Sequence, residues 1–351
     1  MRAAVWYGRN DVRIEDRPEP QVTEGKVKIR VKWCGICGSD VYEYTNGPFI
    51  IPTNKPHPLT GKMAPIIMGH EFSGVAVEVG KGVSHICPGD HVGIHACIIC
   101  NECYWCKKGI MNFCLKLGST GLCDDGGFAE YALVPGYACY KLPGNVFFEA
   151  GSFVEPISVA IHAAKRGQIG PGSTVAVIGT GPIGLLVLQA AKAAGASQIY
   201  AIEKLPHRRE VAKIVGATEV FDPEKTDPGK EIHQRTEGIR VDVAFDCAGG
   251  ETTLTLAHTL TRRGGKIVNV ALPKTTTFRF DRLFLHEKDI ITAYAYVDES
   301  PAAVAYLSDG RMNCDPLITG RIKLKDLVEE GFHRLMEGES KHIKILVSPE
   351  L

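Results

Sequence analysis

The sequence predicts an α/β chain in which a β-rich domain is joined to a doubly wound parallel sheet, and three observations carry that prediction. The first is length: 351 residues exceed the size at which a single hydrophobic core usually keeps growing, so two domains are expected. The second is a change of rhythm. Up to about residue 150 the chain consists of short β-rich segments (VKIRVKW, EFSGVAVEVG, GDHVGIHA, GFAEYALVP) punctuated by glycine and proline, as in a barrel or sandwich. From about Ser173 strands and helices alternate: STVAVIG, PIGLLVLQAAKAAG, QIYAIEK, RREVAKIVGA, VDVAFDCAG, ETTLTLAHTLTR, GKIVNVA. Such alternation builds a parallel sheet covered by helices. The third is the glycine-rich turn GTGPIG at the first strand-to-helix junction. After Tyr296 the segments become irregular, ending in an expected helix LKDLVEEGFHRLMEG and a strand HIKILV that should return to the first domain.

Composition narrows the function. Apolar residues make up 44% and charged residues 23% of the chain, values ordinary for a globular protein. Forty basic residues balance 40 acidic ones, so the electrostatic footprint of a nucleic-acid binder is missing. The N-terminus MRAAVWYGRNDVRIEDRPEP breaks its apolar run with charges at once, which is the pattern of neither a signal nor a transit peptide, and a cytoplasmic location is expected. Val175 to Ala196 imitates a membrane span in hydropathy, but Gly179, Gly181, Pro182, Gly184, Lys192 and Gly195 within it fit a strand, a turn and a buried helix better. No membrane association is expected. Five of the twelve cysteines crowd between Cys97 and Cys114, which in a reducing compartment points to metal rather than disulfides.

The turn Gly179-Thr180-Gly181-Pro182-Ile183-Gly184 follows an apolar strand and opens an apolar helix, the context that makes GxGxxG a dinucleotide signature. Its first glycine permits the tight turn, its second admits a pyrophosphate close to the backbone, and its third lets helix and strand pack closely. The helix N-terminus adds unpaired amides. Glu203 ends the next strand, 24 positions after Gly179, where a carboxylate can accept both ribose hydroxyls and repel a 2′-phosphate. NAD is therefore expected. Lys204, Arg208 and Arg209 stand close enough to hold a phosphate instead, and Arg208 is counted among the cofactor-binding candidates.

Cys100, Cys103, Cys106 and Cys114 form CxxCxxCx7C, a spacing that brings four thiolates to one tetrahedral ion. Four thiolates close the coordination sphere, so a zinc there would staple a loop and take no part in chemistry. Cys97 offers an alternative register. A second, dispersed group consists of Cys37 in CGICGSD, His70 and Glu71 in MGHEFSG, and Glu155 in FVEPISVA. The His-Glu pair is no zincin helix, because Gly74 stands where the second histidine would be.

In their order, CGICGSD, GHEFSGVAVEVG, PGDHV, the cysteine lobe, GGFAEY, VEP and GTGPIG resemble the medium-chain zinc-dependent alcohol dehydrogenases along the whole chain. Within that family the sequence is most similar to the butanediol dehydrogenases, through EYxxGP, PHPLTG, LITGRI and KILVSP. The resemblance implies a GroES-like catalytic domain built from residues 1–156 and 297–351 around a Rossmann NAD-binding domain of residues 157–296. It implies two zinc ions per chain: Cys37, His70 and Glu155 as ligands of the catalytic one, Cys100, Cys103, Cys106 and Cys114 of the structural one. Glu71 matches a position that in related polyol dehydrogenases either binds the metal or orients its ligands, and Glu71 and Glu155 are expected to alternate.

One thiolate, one neutral imidazole and one carboxylate would neutralise Zn²⁺ and leave a Lewis acid with a position open for an alcohol oxygen. Hydride would pass to the nicotinamide. By the resemblance, Ser39 hydrogen-bonds the substrate oxygen and starts the proton relay. Where many relatives carry the outer histidine of that relay, this chain has Tyr42, a phenol poorly suited to accept a proton at neutral pH, so the relay ends in water or uses His57.

Cys37 and His70 lie 33 positions apart, separated by NGPFIIPTNKPHPLTGKMAP. Such a loop could cap the cleft with Phe49, Ile50 and Ile51, which favours a small, partly apolar diol; the resemblance implies 2,3-butanediol, with acetoin as its ketone partner. The partner is thus a small alcohol or hydroxyketone, and a homo-oligomer, dimer or tetramer, is expected. Threonine 3-dehydrogenase and sorbitol or polyol dehydrogenase remain alternatives of the same class. A non-catalytic nucleotide-binding member of the superfamily is the alternative of another class.

Overall fold

A computed structural model describes residues 1–272, 280–337 and 340–351. The chain divides into two compact units, one of Met1–Glu155, Ser300–Gly310 and Ile318–Leu351, the other of Pro156–Glu299 and Arg311–Leu317. Pro156 and residues 297–299 and 311–317, expected with the first domain, cluster with the second.

The first unit is β-rich. Its larger sheet runs in the order Cys139–Lys141, His91–Ile94, Glu71–Val79, Lys26–Gly35, Lys344–Ser348, Ile318–Lys323, with Tyr131–Pro135 also paired to Lys26–Gly35. Alternation explains the central strand: Val27, Ile29 and Val31 are fully buried in a core with Phe72, Ala76, Val92, Phe128 and Val347. The C-terminal strand does return to this sheet, pairing antiparallel with Lys26–Gly35 (Leu346 opposite Gly35). On the other side Gly35 pairs with Glu71. Three strands far apart in sequence therefore converge beside residues 35 to 37. The segment expected as one helix over 324–338 is instead a 3₁₀ turn, Leu324–Asp326, a π-helix, Leu327–His333, and a short α turn, Arg334–Met336, with Gly338 outside the described residues. At Gly331 a Cβ would come within 2.6 Å of Ile36, so the widened helix sits directly on the sheet.

The second unit holds a six-stranded sheet among the described residues, ordered Glu219–Phe221, Gln198–Ile202, Thr174–Ile178, Val241–Asp246, Thr261–Asn269, Asp289–Thr292. Every pairing is parallel. In chain order this is 3-2-1-4-5-6, the dinucleotide-binding topology, with its reversal beside Thr174–Ile178. The apolar stretch that imitates a membrane span is the strand Thr174–Ile178, the glycine turn and the helix Pro182–Ala193, which is buried from Gly184 to Ala191. Among the described residues no helix is long and apolar enough to cross a membrane.

Candidate active site

Cys37 caps the helix Gly38–Asn46, and its backbone N–H donates to the Asp40 carboxylate at 2.9 Å. That helix places Ser39 in its first turn, two positions after the cap, where Ser39 Oγ lies 3.3 Å from His70 Nε2. His70 Nδ1 faces Asp40 Oδ1 at 3.3 Å, and both side chains are buried. His70 arrives there because Gly69 takes φ +95°, and a Cβ at Gly69 would lie 2.8 Å from both Cys34 Sγ and the Phe128 nitrogen. Burial disfavours a charged imidazole, yet Asp40 and then Cys37 outweigh it and hold the His70 pKa well above the ordinary histidine range. A field that strong toward cations suits a bound metal ion in the proton's place.

The third group at this point is Glu71. Ligand atoms of Cys37, His70 and Glu71 all lie within 4.8 Å of one another. Glu71 Oε2 accepts from Lys344 Nζ at 2.5 Å, and Lys344 donates also to the Ile36 carbonyl at 2.9 Å. The other oxygen, Oε1, is buried without a hydrogen-bond partner among the described residues. A thiol, an imidazole and a carboxylate oxygen with unused acceptor capacity fit a zinc ion. Glu155, expected as the third ligand, is buried at the start of the helix Val154–Gly167 and is not a member of this group. Adjacency decides the difference: Glu71 follows His70 directly and opens the strand that pairs with Gly35.

Two residues of this site escaped sequence reasoning. Asp40, completely buried, stands in the quoted CGICGSD motif, and its signal was a carboxylate three positions after a candidate ligand. Lys344 is 2% exposed, the one charge in the buried strand KILVS, which was signal enough to ask what it pairs with.

The four-cysteine lobe assembles as the spacing predicts. Cys100, Cys103, Cys106 and Cys114 form one group, with Cys114 and Cys106 sulfurs 3.5 Å and 3.9 Å from that of Cys100. Backbone amides point at the sulfurs: Cys103 N–H at Cys100 (3.4 Å), Cys100 N–H at Cys114 (3.3 Å) and Lys116 N–H at Cys114 (3.4 Å). Such amides favour thiolates, and those of Cys106 and Leu115 bring the Cys103 thiol down to about 6. Burial and the neighbouring thiols push Cys106 up to about 12, the position a bound cation would relieve. A tetrahedral zinc fits this set. Cys97 stays outside it, in the short ladder Cys97–Ile98 with Gly118–Ser119.

The inserted loop is anchored from below. The Glu43 carboxylate, 1% exposed, accepts the amides of Phe49 (3.0 Å), Ile50 and Ile51 (3.2 Å). Phe49 is exposed, but Ile51, expected at the cleft, belongs to the core. His57 Nε2 lies 3.3 Å from the Leu117 carbonyl and Nδ1 accepts from the Leu59 amide at 3.4 Å, so His57 braces the loop and is not available as a relay group. Tyr42 is 40% exposed, with its ring edge-on to Phe49.

In the second unit Gly179 takes φ +82°, and a Cβ on Gly184 would lie 1.9 Å from the Gly179 carbonyl, so the turn needs glycine at both. Gly181 caps the helix that Pro182 and Ile183 begin, and around a Cβ at Gly181 only Arg208 Nη1 comes close, at 3.7 Å. Glu203 is already bonded. Its Oε2 accepts from the Thr180 N–H (2.8 Å) and hydroxyl (3.2 Å), and its Oε1 from the Leu205 N–H (3.0 Å). Of about four acceptor sites on a carboxylate, these three bonds among the described residues leave one.

An oxidoreductase of the zinc-dependent class is what a nucleotide turn of this kind and two sites fit for zinc define. The chain belongs to the zinc-binding alcohol dehydrogenase family: residues 23–144 match the alcohol dehydrogenase GroES-like domain and residues 182–309 the zinc-binding dehydrogenase domain. It is 43% identical to the (R,R)-butanediol dehydrogenase of Bacillus subtilis (strain 168) over 99% of this chain and all of that one. It is 32% identical to the sorbitol dehydrogenase of the same organism, covering 99% and 97%. The crystal structure of 2R,3R-butanediol dehydrogenase from Bacillus subtilis superposes with a TM-score of 0.93 at 42% identity, covering 99% of each chain. The chain is thus an enzyme acting on alcohols, with zinc and NAD as cofactors.

Proposed function

We propose that the enzyme interconverts a small vicinal diol of the 2,3-butanediol type and its hydroxyketone, with NAD as hydride acceptor. The observation that carries this reading is the convergence of Cys37, His70 and Glu71 beside Ser39, in a chain whose full length aligns with butanediol dehydrogenases. Cys37 and His70, with Glu71 or Glu155 as the exchanging carboxylate, hold the catalytic zinc, and the four-cysteine lobe holds the structural one. When bound, the catalytic zinc supplies a Lewis acid for the alcohol oxygen, and NAD supplies the hydride acceptor.

The chain's own residues handle orientation and the proton. Asp40 fixes the His70 ring so that Nε2 is left for the metal. Lys344 holds one Glu71 oxygen and so limits how much negative charge reaches the zinc. Ser39 Oγ takes the proton of the substrate hydroxyl and passes it outward. With His57 engaged in the loop and Tyr42 a phenol at the surface, the proton leaves to water. The glycine turn Gly179–Gly184, with Pro182 and Ile183 opening the helix, receives the pyrophosphate, and Arg208 flanks it. Glu203 accepts one ribose hydroxyl while tying the turn to the second strand, a narrower role than accepting both.

Twelve cysteines, all free of disulfides, fit a reducing compartment, and we assign the protein to the cytoplasm. A homo-oligomer is supported by Phe280, Phe284 and Leu285, each at least 70% exposed beside the edge strand Asp289–Thr292.

An NAD-reduction screen over 2,3-butanediol stereoisomers, sorbitol, xylitol and threonine, repeated with NADP, tests the assignment. The highest kcat/KM is expected for a butanediol isomer with NAD. A preference for sorbitol would move the enzyme to the polyol group, of which it has a 32% identical relative. Preference for NADP would overturn the role given to Glu203.

A further inference from the structure

The parallel sheet of the second unit has two ends, and the nucleotide turn occupies only the carboxyl one. At the amino ends of the strands Val241–Asp246, Thr261–Asn269 and Asp289–Thr292 lies a cavity of about 490 Å³. Strand length separates it from the nucleotide end by roughly 20 Å, at about 3.3 Å per residue. Its walls carry Arg240, Arg263, Arg282, Lys288, His258 and His286, and no carboxylate is among its lining residues. Arg262, also in the wall, is neutralised outside it by Asp242 at 2.6 Å.

Part of this charge has a structural use. Lys288 Nζ donates to the carbonyls of His258 (2.8 Å) and Thr261 (2.6 Å), and Arg240 donates to that of Thr259, so both cap the C-terminus of the helix Thr253–Leu260. Capping does not account for Arg263 and Arg282, exposed guanidinium groups with no ion pair among the described residues. Nor does it account for His286, whose Nδ1 is shut off from solvent without a hydrogen-bond partner among them.

The His258 and His286 rings lie parallel, 3° apart in plane, with centroids 6.3 Å apart. Burial and then the neighbouring cations lower three groups here: Lys288 falls to about 8, His258 to about 4, and His286 moves the same way. These six fixed or potential cations around one concavity, with no carboxylate among its lining residues, make a potential that a multiply charged anion relieves. Guanidinium forks and ring N–H donors match phosphate oxygens in geometry.

We propose that this cavity binds a small polyanion of the phosphate class, at a site separate from the cofactor's. A concavity of this volume in a chain of zero net charge fits a small ligand rather than a nucleic-acid backbone. A group bound there touches the ends of three sheet strands and two helices, so it stabilises the nucleotide-binding unit without competing for the nucleotide.

The test uses the zinc-loaded enzyme, its metal content verified before and after, titrated calorimetrically with inorganic pyrophosphate at low ionic strength, with and without saturating NADH. One site per chain with Kd below about 1 mM is expected, unaltered by NADH. Arg263→Ala/Arg282→Ala should weaken it at least about tenfold while the unliganded melting temperature stays that of the wild type. Histidine NMR gives a second readout: the His286 resonance should shift on titration in wild type and not in the double variant. No binding at about 10 mM, displacement by NADH, undiminished binding by the folded double variant, or tighter binding of a single-stranded oligonucleotide than of pyrophosphate would each overturn the proposal.

Discussion

The two sites fit for metal in the first unit solve different problems with overlapping chemistry. The cysteine lobe gathers four like ligands from 15 consecutive residues and trims their charge with backbone amides. The Cys37 site gathers three unlike ligands and trims their charge with side chains, Asp40 behind the imidazole and Lys344 behind the carboxylate. Amides are fixed by the fold, whereas a lysine–glutamate pair can open and close. Closure of one site and adjustability of the other follow from that difference, and suit the proposed division between an ion that would secure a loop and one that would bind substrate.

The sharpest way to break the comparison is to remove one thiolate from each site. Cys37→Ser should lower kcat by at least about a thousandfold, equivalent to about 4 kcal/mol of lost transition-state stabilisation, with little change in melting temperature. Cys103→Ser should do the reverse, dropping the melting temperature by about 5 °C or more while sparing kcat of the folded fraction that keeps its zinc at the Cys37 site. Zinc content should fall from two ions per chain to one in both variants. If Cys103→Ser abolished turnover in folded protein, the division of labour would be wrong.

A smaller effect is expected behind the ligands. Asp40→Asn should weaken zinc retention or turnover by about 10- to 100-fold, read as faster loss of one zinc to a chelator. The lobe can be sharpened by chemistry in metal-depleted protein. Because amides lower the Cys103 thiol to about 6 and burial raises Cys106 to about 12, alkylation of Cys103 should reach half its maximal rate near pH 6 and be complete above it. Cys106 should resist at every pH compatible with folding. Equal reactivity of the two, followed by peptide mass mapping, would contradict the amide account. The smallest effect concerns the proton: Tyr42→His should raise activity below neutral pH, and an unchanged pH profile would place Tyr42 outside the proton path.

Much of this protein was legible because its chemistry is local. CxxCxxCx7C and GTGPIG each place their groups within one loop, where spacing alone controls distance, and both assemble as read. The parallel sheet follows from strand–helix alternation and right-handed crossover, whereas its 3-2-1-4-5-6 order is read from the structure. The helix expected over 324–338 was misread because apolar spacing does not distinguish α from π winding, and contact with Ile36 is tertiary.

At the catalytic site the sequence by itself determined which residues could bind zinc: Cys37, His70 and two candidate glutamates. Which glutamate stands beside the other two, and what restrains it, depended on strand pairing. Lys344 meets Glu71 across 273 positions of chain because Lys344–Ser348 and Glu71–Val79 flank the same strand, with Gly35 opposite both Leu346 and Glu71. No spacing along the chain encodes that meeting. Register in a sheet is set by the burial of whole strand faces, and a charge carried into the interior on one strand is matched only by what the neighbouring strands bring there.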